Sequence, residues 1–306
     1  MRFITNKNRG SSKECGVCIT LDTDTMDLGS RKRSAEPQGV PLFFKFKNME
    51  ELDVLQLPDD GPIALIDGDS LLYYEMGKPT LEKAIQGLND RLFHILSMCG
   101  TSRYAGFLTL SKCFRYDVAE TKSYKHNRKG GSKPPIFYAL REYIQQEWKF
   151  DHQKGLEADD LVAVHSKPNG TIICSPDKDV LYQCAGTHYN FRTAEFIKTS
   201  KLEANRFLWK QTLMGDATDG ITGIPKLGPK TADNLLKKVR SGFEKIVVEK
   251  YVEKFGYYEG VCKFAETFKL VYILKTYEQV ENVIGIDLSG SLAVNDIKHL
   301  NITYVG

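Results

Sequence analysis

Apolar residues in this chain come in short blocks separated by longer amphipathic stretches. From Pro62 onward, runs such as Ile63-Ala64-Leu65-Ile66 and Thr171-Ile172-Ile173-Cys174 read as strands buried on both faces, and Tyr104–Leu110 reads as a third. Asp67-Gly68-Asp69, after the first run, reads as a loop. Between the strands the period changes. Leu88, Leu92, Ile95 and Leu96 share one face of a helix predicted over 81–98. Pro134-Pro135 opens a second helix running to Trp148, since proline fits the first helical turn, and 156–164 reads as a short third. After Thr199 the pattern is mainly helical. Strands alternating with helices predict an α/β fold, a parallel sheet flanked by helices. Residues 1–60 hold Gly, Ser, Asp and the tract Arg31-Lys32-Arg33 with little periodicity, which predicts a loosely ordered extension. The expected plan is therefore an extension over 1–60, an α/β domain over 61–200 and a mainly helical region over 201–306.

Composition changes this picture little. The net charge of +3 over 306 residues names no partner, so any polyanion signal must be local. No apolar run approaches the roughly 20 residues that span a bilayer, which predicts no membrane partner and a cytoplasmic location. Seven cysteines are scattered rather than spaced as a framework, which predicts free thiols. Cys15 and Cys18 form a Cys-x-x-Cys without the second pair a structural zinc site needs.

The placement of carboxylates carries the chemistry. Asp67 and Asp69 end the first strand, and Glu157, Asp159 and Asp160 open the 156–164 helix. Asp177 and Asp179 follow the third strand in Ser-Pro-Asp-Lys-Asp, and Asp216 and Asp219 lie in Met-Gly-Asp-Ala-Thr-Asp-Gly. Singly, each cluster is mundane: aspartate forms turns, and acids at a helix start complement its dipole. Four clusters at the carboxyl edge of one parallel sheet are not, because ligands collect there. So many carboxylates would repel one another unless divalent cations neutralise them, and oxygen-only donors suit Mg²⁺ or Mn²⁺. Two such ions suit phosphodiester hydrolysis.

Two further segments fit a polyanion. Residues 121–141 hold six Lys/Arg and no acid, interleaved with Tyr124, Phe137 and Tyr138. Cations of this kind meet phosphates and rings stack on bases, which makes Lys122, Tyr124, Lys129 and Lys133 candidate DNA contacts. Gly223-Ile224-Pro225-Lys226-Leu227-Gly228-Pro229-Lys230 reads as a glycine turn feeding a helix N-terminus. Backbone N–H groups there bind phosphate, with Gly223, Lys226, Gly228 and Lys230 as contacts.

In this order, the motifs Ile66-Asp67-Gly68-Asp69, Tyr124-Lys125-His126-Asn127-Arg128-Lys129, Leu156-Glu157-Ala158-Asp159-Asp160, Ser175-Pro176-Asp177-Lys178-Asp179, Met214–Gly220 and Gly223–Lys230 resemble the flap-endonuclease/5′–3′ exonuclease family, compact bacteriophage exonucleases above all. The resemblance covers about residues 62–240. It implies a 5′–3′ exonuclease or flap endonuclease acting on DNA 5′ ends, flaps and duplex next to single strand, and on RNA primers in RNA–DNA hybrids. Asp67, Glu157, Asp159 and Asp160 would serve a first Mg²⁺, and Asp177, Asp179, Asp216 and Asp219 a second, with Mn²⁺ as a substitute. Lys125 and Arg128 would be the catalytic basic pair of a helical arch over 114–150. Residues 216–240 would hold a helix-hairpin-helix, with K⁺ at its turn. One departure stands out: the family's usual aspartate before a Phe-Arg pair is missing, and Leu110 stands about there, ahead of Phe114-Arg115. Either Asp69, two residues from Asp67, or Asp117 is expected to supply that charge. The alternative is a DNA-structure-binding protein with impaired nuclease activity.

Overall fold

A computed structural model of the chain describes residues 60–128 and 132–297. The extension expected over 1–60 lies, but for Asp60, outside the described residues, as does Lys129.

The expected alternation is present. β1 (Ile63–Asp67) leads directly into α1 (Gly68–Glu75), α2 (Leu81–Cys99) and β2 (Arg103–Phe107). Then come α3 (Arg115–Val118), α4 (Pro135–Gln146), α5 (Ala158–Val164), β3 (Thr171–Cys174) and α6 (Lys178–Gln183). The antiparallel pair β4 (Gly186–Asn190) and β5 (Glu195–Thr199) follows. Beyond it lie α7 (Lys201–Met214), the two-residue strands β6 (Gly215–Asp216) and β7 (Ile221–Thr222), α8 (Pro229–Leu236), α9 (Phe243–Phe255), α10 (Tyr257–Val271), α11 (Tyr277–Ile284) and β8 (Asn295–Asp296).

Strand order in the main sheet is β5-β4-β3-β1-β2-β8. β4, β3, β1 and β2 run parallel, and β5 and β8 close the edges antiparallel. The chain leaves β1 for β2 on one side and returns to β3 on the other. The carboxyl end of β1 is thus a topological switch point, where open α/β sheets form a crevice.

Side chains alternate across β1 as the strand period requires. Ala64 and Ile66 face a core of α1, α2 and α4, where Leu88, Leu92, Leu140, Ile144 and Trp148 are fully buried. Leu65 faces the opposite core, built from α5, Val180 and the late residues Ile273, Leu274, Val280 and Leu288. A third core joins α7 to α10 around Trp209, Tyr251, Phe264 and Phe268. The region after Thr199 is mainly helical, and its last described strand returns to pair with β2 at Arg103 and Tyr104. Cys99, Cys113, Cys174 and Cys184 are free thiols, as the scattered spacing predicts, whereas Cys262 is disulfide-bonded.

Candidate active site

The acids at the end of β1 stand at a helix start, where a loop was expected. Asp67 caps α1, accepting the Ser70 N–H at 3.3 Å and the Ser70 hydroxyl at 2.6 Å. An Asp-Gly pair signals a turn, but here the aspartate supplies the acceptor that begins a helix. Asp67 also accepts the hydroxyl of Ser175 at 2.9 Å, and that oxygen accepts the Asp177 N–H at 3.0 Å. One buried serine thus stitches the tips of β1 and β3 together. Asp177 caps α6 in turn, accepting the Asp179 N–H at 2.8 Å.

Asp67, Asp69, Glu157, Asp159 and Asp177 line a cleft of about 520 Å³ with Lys125, Arg128, Lys133 and Arg141. Glu157 and Asp159 also line an adjoining hollow with Asp179, Asp216 and Asp219. Eight of the nine acids expected from sequence therefore share one depression. The ninth, Asp160, is a correction. It is fully buried, both of its oxygens take the Arg115 guanidinium at 2.7 and 2.8 Å, and it accepts the Leu274 N–H at 3.1 Å. It braces the helix start and does not present donors to the cleft.

Five of the remaining carboxylates fall into two electrostatic groups. Burial first, then Asp69 beside it, pushes Asp67 up to about 6. Burial and Asp177 push Asp179 up to about 7, and burial with Asp177 and Asp67 drives Asp159 well above its ordinary value. These groups resist ionising together. In the second group burial would raise Glu157, yet Arg115 and Lys125 hold it below its ordinary value. Burial would likewise raise Asp216, but Lys178, donating at 2.7 Å, holds it down. Lys125 Nζ lies 2.5 Å from Glu157, and Arg128 pairs with Asp219.

Among the described residues no three acidic, histidine or cysteine side chains converge as a preformed cage. The donor set nevertheless fits a hard divalent cation. It is all oxygen, and repulsion runs through it from Asp69 to Asp67, from Asp67 and Asp177 to Asp159, and from Asp177 to Asp179, which a cation would relieve.

The basic segment is tied to the hairpin. Lys125 N–H donates to Asp219 O at 2.9 Å, and the Asn127 amide donates to Ala217 O at 2.6 Å. Tyr124 is a second correction: its ring is only 4 % exposed, so it offers no stacking face to a base. Its hydroxyl reaches Glu157 at 3.0 Å and Asp219 at 2.9 Å instead. Lys122 is exposed beside the hairpin, and Lys133 lies 4.0 Å from the Tyr73 ring at the cleft rim. At the hairpin itself Gly223 packs so closely on the backbone of Met214 and Gly215 that a Cβ would overlap it. Lys226 and Lys230 are exposed, and Gly228 caps α8.

Leu110 is half-buried and packs on the core beneath α1, α2 and α4. The carboxylate near it belongs to Asp69, which accepts the Thr109 N–H at 3.2 and 3.3 Å and lines the cleft. Sequence reasoning singled out neither Ser175, Gln183 nor Gln211, and it used Arg115 only as half of a pair. Neutral amides and hydroxyls carry no spacing signature, and a lone Arg after an apolar run reads as surface.

No family model matches the chain. A 5′–3′ exonuclease of Buchnera aphidicola subsp. Acyrthosiphon pisum is 34% identical over 212 residues, spanning 58% of this chain and 71% of that protein. The 5′–3′ exonuclease of Buchnera aphidicola subsp. Schizaphis graminum is 28% identical over 209 residues, spanning 58% and 70%. Among solved structures, a bacteriophage T5 flap endonuclease in a pseudo-enzyme-product complex with DNA and metal ions aligns at TM-score 0.56. It is 16% identical, with 74% of this chain and 95% of that one covered, so this likeness concerns the fold.

Proposed function

The chain belongs to the 5′–3′ exonuclease family, and from that premise we propose that it hydrolyses DNA phosphodiesters from the 5′ side with divalent cations. The observation that carries this reading is the set of crowded carboxylates at the switch point, where Asp67 repels Asp159 and Asp177 repels both Asp159 and Asp179, with Lys125 and Arg128 lining the same cleft as Asp67, Asp159 and Asp177. Asp67, Asp69, Glu157 and Asp159 would hold one Mg²⁺ or Mn²⁺, and Asp177, Asp179, Asp216 and Asp219 a second. When bound, the ions supply an activated water and charge neutralisation at the leaving oxygen.

The chain's own groups do the rest. Lys125, with its backbone at φ 56 and its ammonium in the cleft, and Arg128 meet the scissile phosphate. Burial would lower both, but acids around them keep both raised and charged, Glu157 and Asp219 for Lys125, Asp219 foremost for Arg128. Tyr124 holds Glu157 and Asp219 with one hydroxyl. Lys122, Lys133, Lys226 and Lys230, with the Lys230 N–H at the start of α8, grip the duplex, with K⁺ at the hairpin turn. The same site would accept RNA paired to DNA, since cations held by these acids would meet phosphate oxygens, which RNA and DNA share. A second reading, DNA-structure binding with impaired cleavage, draws on Leu110.

The test uses 5′- and 3′-labelled duplex, flap and RNA–DNA hybrid, each with Mg²⁺ or EDTA. Products released from the 5′ end only with Mg²⁺ support the proposal. Tight binding without cleavage supports the second reading, and full turnover in EDTA overturns the cation role.

A further inference from the structure

Beyond the region of family resemblance, α10 ends at Val271 and the chain leaves the helix at Tyr272, which is extended at φ −73, ψ 126. Five successive main-chain groups over 270–274 meet buried side chains. Arg115 donates to Leu270 O at 3.1 Å and to Tyr272 O at 2.6 Å. The Gln183 amide donates to Val271 O at 2.8 Å and accepts the Ile273 N–H at 3.3 Å. Leu274 N–H donates to Asp160.

Arg115 and Gln183 then turn to the acidic depression. Arg115 donates to Glu157 at 3.1 Å. Gln183 donates to Gln211 Oε1 at 2.6 Å, and Gln211 Nε2 donates to Asp179 at 2.6 Å and Asp216 at 3.5 Å. The direction of this chain is forced. Ile273 can only donate, so Gln183 must turn its oxygen to it and its NH₂ to Val271 O and Gln211. Gln211 must then offer its oxygen to Gln183 and its NH₂ to the carboxylates. Flipping either amide would set acceptor against acceptor in a site where Gln183 is 1% and Gln211 4% exposed.

We propose that Leu270–Leu274 is a brace shared by both halves of the acidic site. Gln183 and Gln211 act in it as positioning residues for Asp179 and Asp216, and Arg115 as one for Glu157. The inference rests on the divalent-cation reading above and adds to it the groups that fix the carboxylates before an ion arrives.

The experiment is a Mn²⁺ titration of the whole protein by calorimetry and electron paramagnetic resonance, beside melting curves. Wild type takes two Mn²⁺. Gln211→Met leaves the first event unchanged and weakens the second by about tenfold to a hundredfold, the usual scale for groups that orient ligands. Gln183→Met acts through Gln211, so the double variant binds no more weakly than Gln211→Met alone. Raising Mn²⁺ restores turnover in both variants. If Gln211→Met fails to melt cooperatively, Gln211→Asn, which keeps the amide but withdraws it, replaces it. Folded variants with wild-type isotherms, or additive effects, overturn the brace. Wild type that binds no Mn²⁺ overturns the cation reading itself.

Discussion

Among the described residues Asp159 has no cation at hydrogen-bond distance, and it sits among like charges, so its removal separates chemistry from stability. Asp159→Asn should cut single-turnover cleavage by two orders of magnitude or more, about 2.7 kcal/mol of transition-state stabilisation. DNA affinity and melting temperature should hold or rise, because a buried repulsion disappears; a lower melting temperature would contradict this. Tyr124→Phe distinguishes two roles for one ring. It keeps any stacking face but loses the hydroxyl between Glu157 and Asp219, so kcat should fall and stability drop by about 1 kcal/mol. Unchanged kcat would restore the stacking role. For Asp69 the expectation is that Asp69→Asn impairs cleavage nearly as much as Asp67→Asn, and that Leu110→Asp does not rescue it. Leu110→Asp instead costs roughly 2–3 kcal/mol by setting a charge against the α1/α2/α4 core, readable in a denaturant melt. At this scale the acids were legible, because aspartate after a buried strand is both typed and placed by the pattern. Asp160 misled because adjacent helix positions point about 100° apart, and sequence does not say which one meets an arginine.

The helices α2, α4 and α5 and the central strands were legible as elements, since amphipathic runs and short apolar blocks mark them, whereas the short α1, α3 and α6 were not. Nor were β4 and β5: their turn has no glycine and is made by Asn190, whose side chain accepts the Arg192 and Thr193 N–H groups at 3.0 and 3.3 Å, and by Ala194 at φ 56, and β8 is two residues held by its neighbour. The attachment of the basic segment was equally hidden. Glu266, on α10, accepts the Glu120 N–H at 2.8 Å, the Thr121 N–H at 2.7 Å and the Thr121 hydroxyl at 2.5 Å. Glu266→Ala should therefore speed amide hydrogen exchange over 120–128 and raise KM for DNA more than it lowers kcat. Unaltered exchange would show that the hairpin contacts alone anchor the segment.

For the whole molecule, metal and proton compete. Asp67, at about 6, and Asp179, at about 7, hold protons that the unfolded chain releases at lower pH. Their contribution to stability is full below the ordinary aspartate range and is lost as pH rises through 6 to 7. Buried His165, lowered to about 4 by desolvation, works oppositely, losing stability as pH falls through the range between its ordinary value and 4. Comparing each pH with and without Mg²⁺ cancels His165. The rise in melting temperature from Mg²⁺ should be small near pH 5.5 and grow until about pH 8. A rise that does not vary with pH would place the ion elsewhere. The partners of Arg115 carry a further consequence for how the protein is made. A ribosome delivers the chain amino end first, and Asp67, Glu157 and Asp177 all emerge well before Leu270 and Tyr272. Until those two carbonyls arrive, the guanidinium behind Glu157 lacks two of its acceptors and Gln183 lacks both of its main-chain partners. On the brace proposed above, nascent and prematurely terminated chains would carry the acids without the geometry, and fragments from unfinished synthesis should not cut DNA.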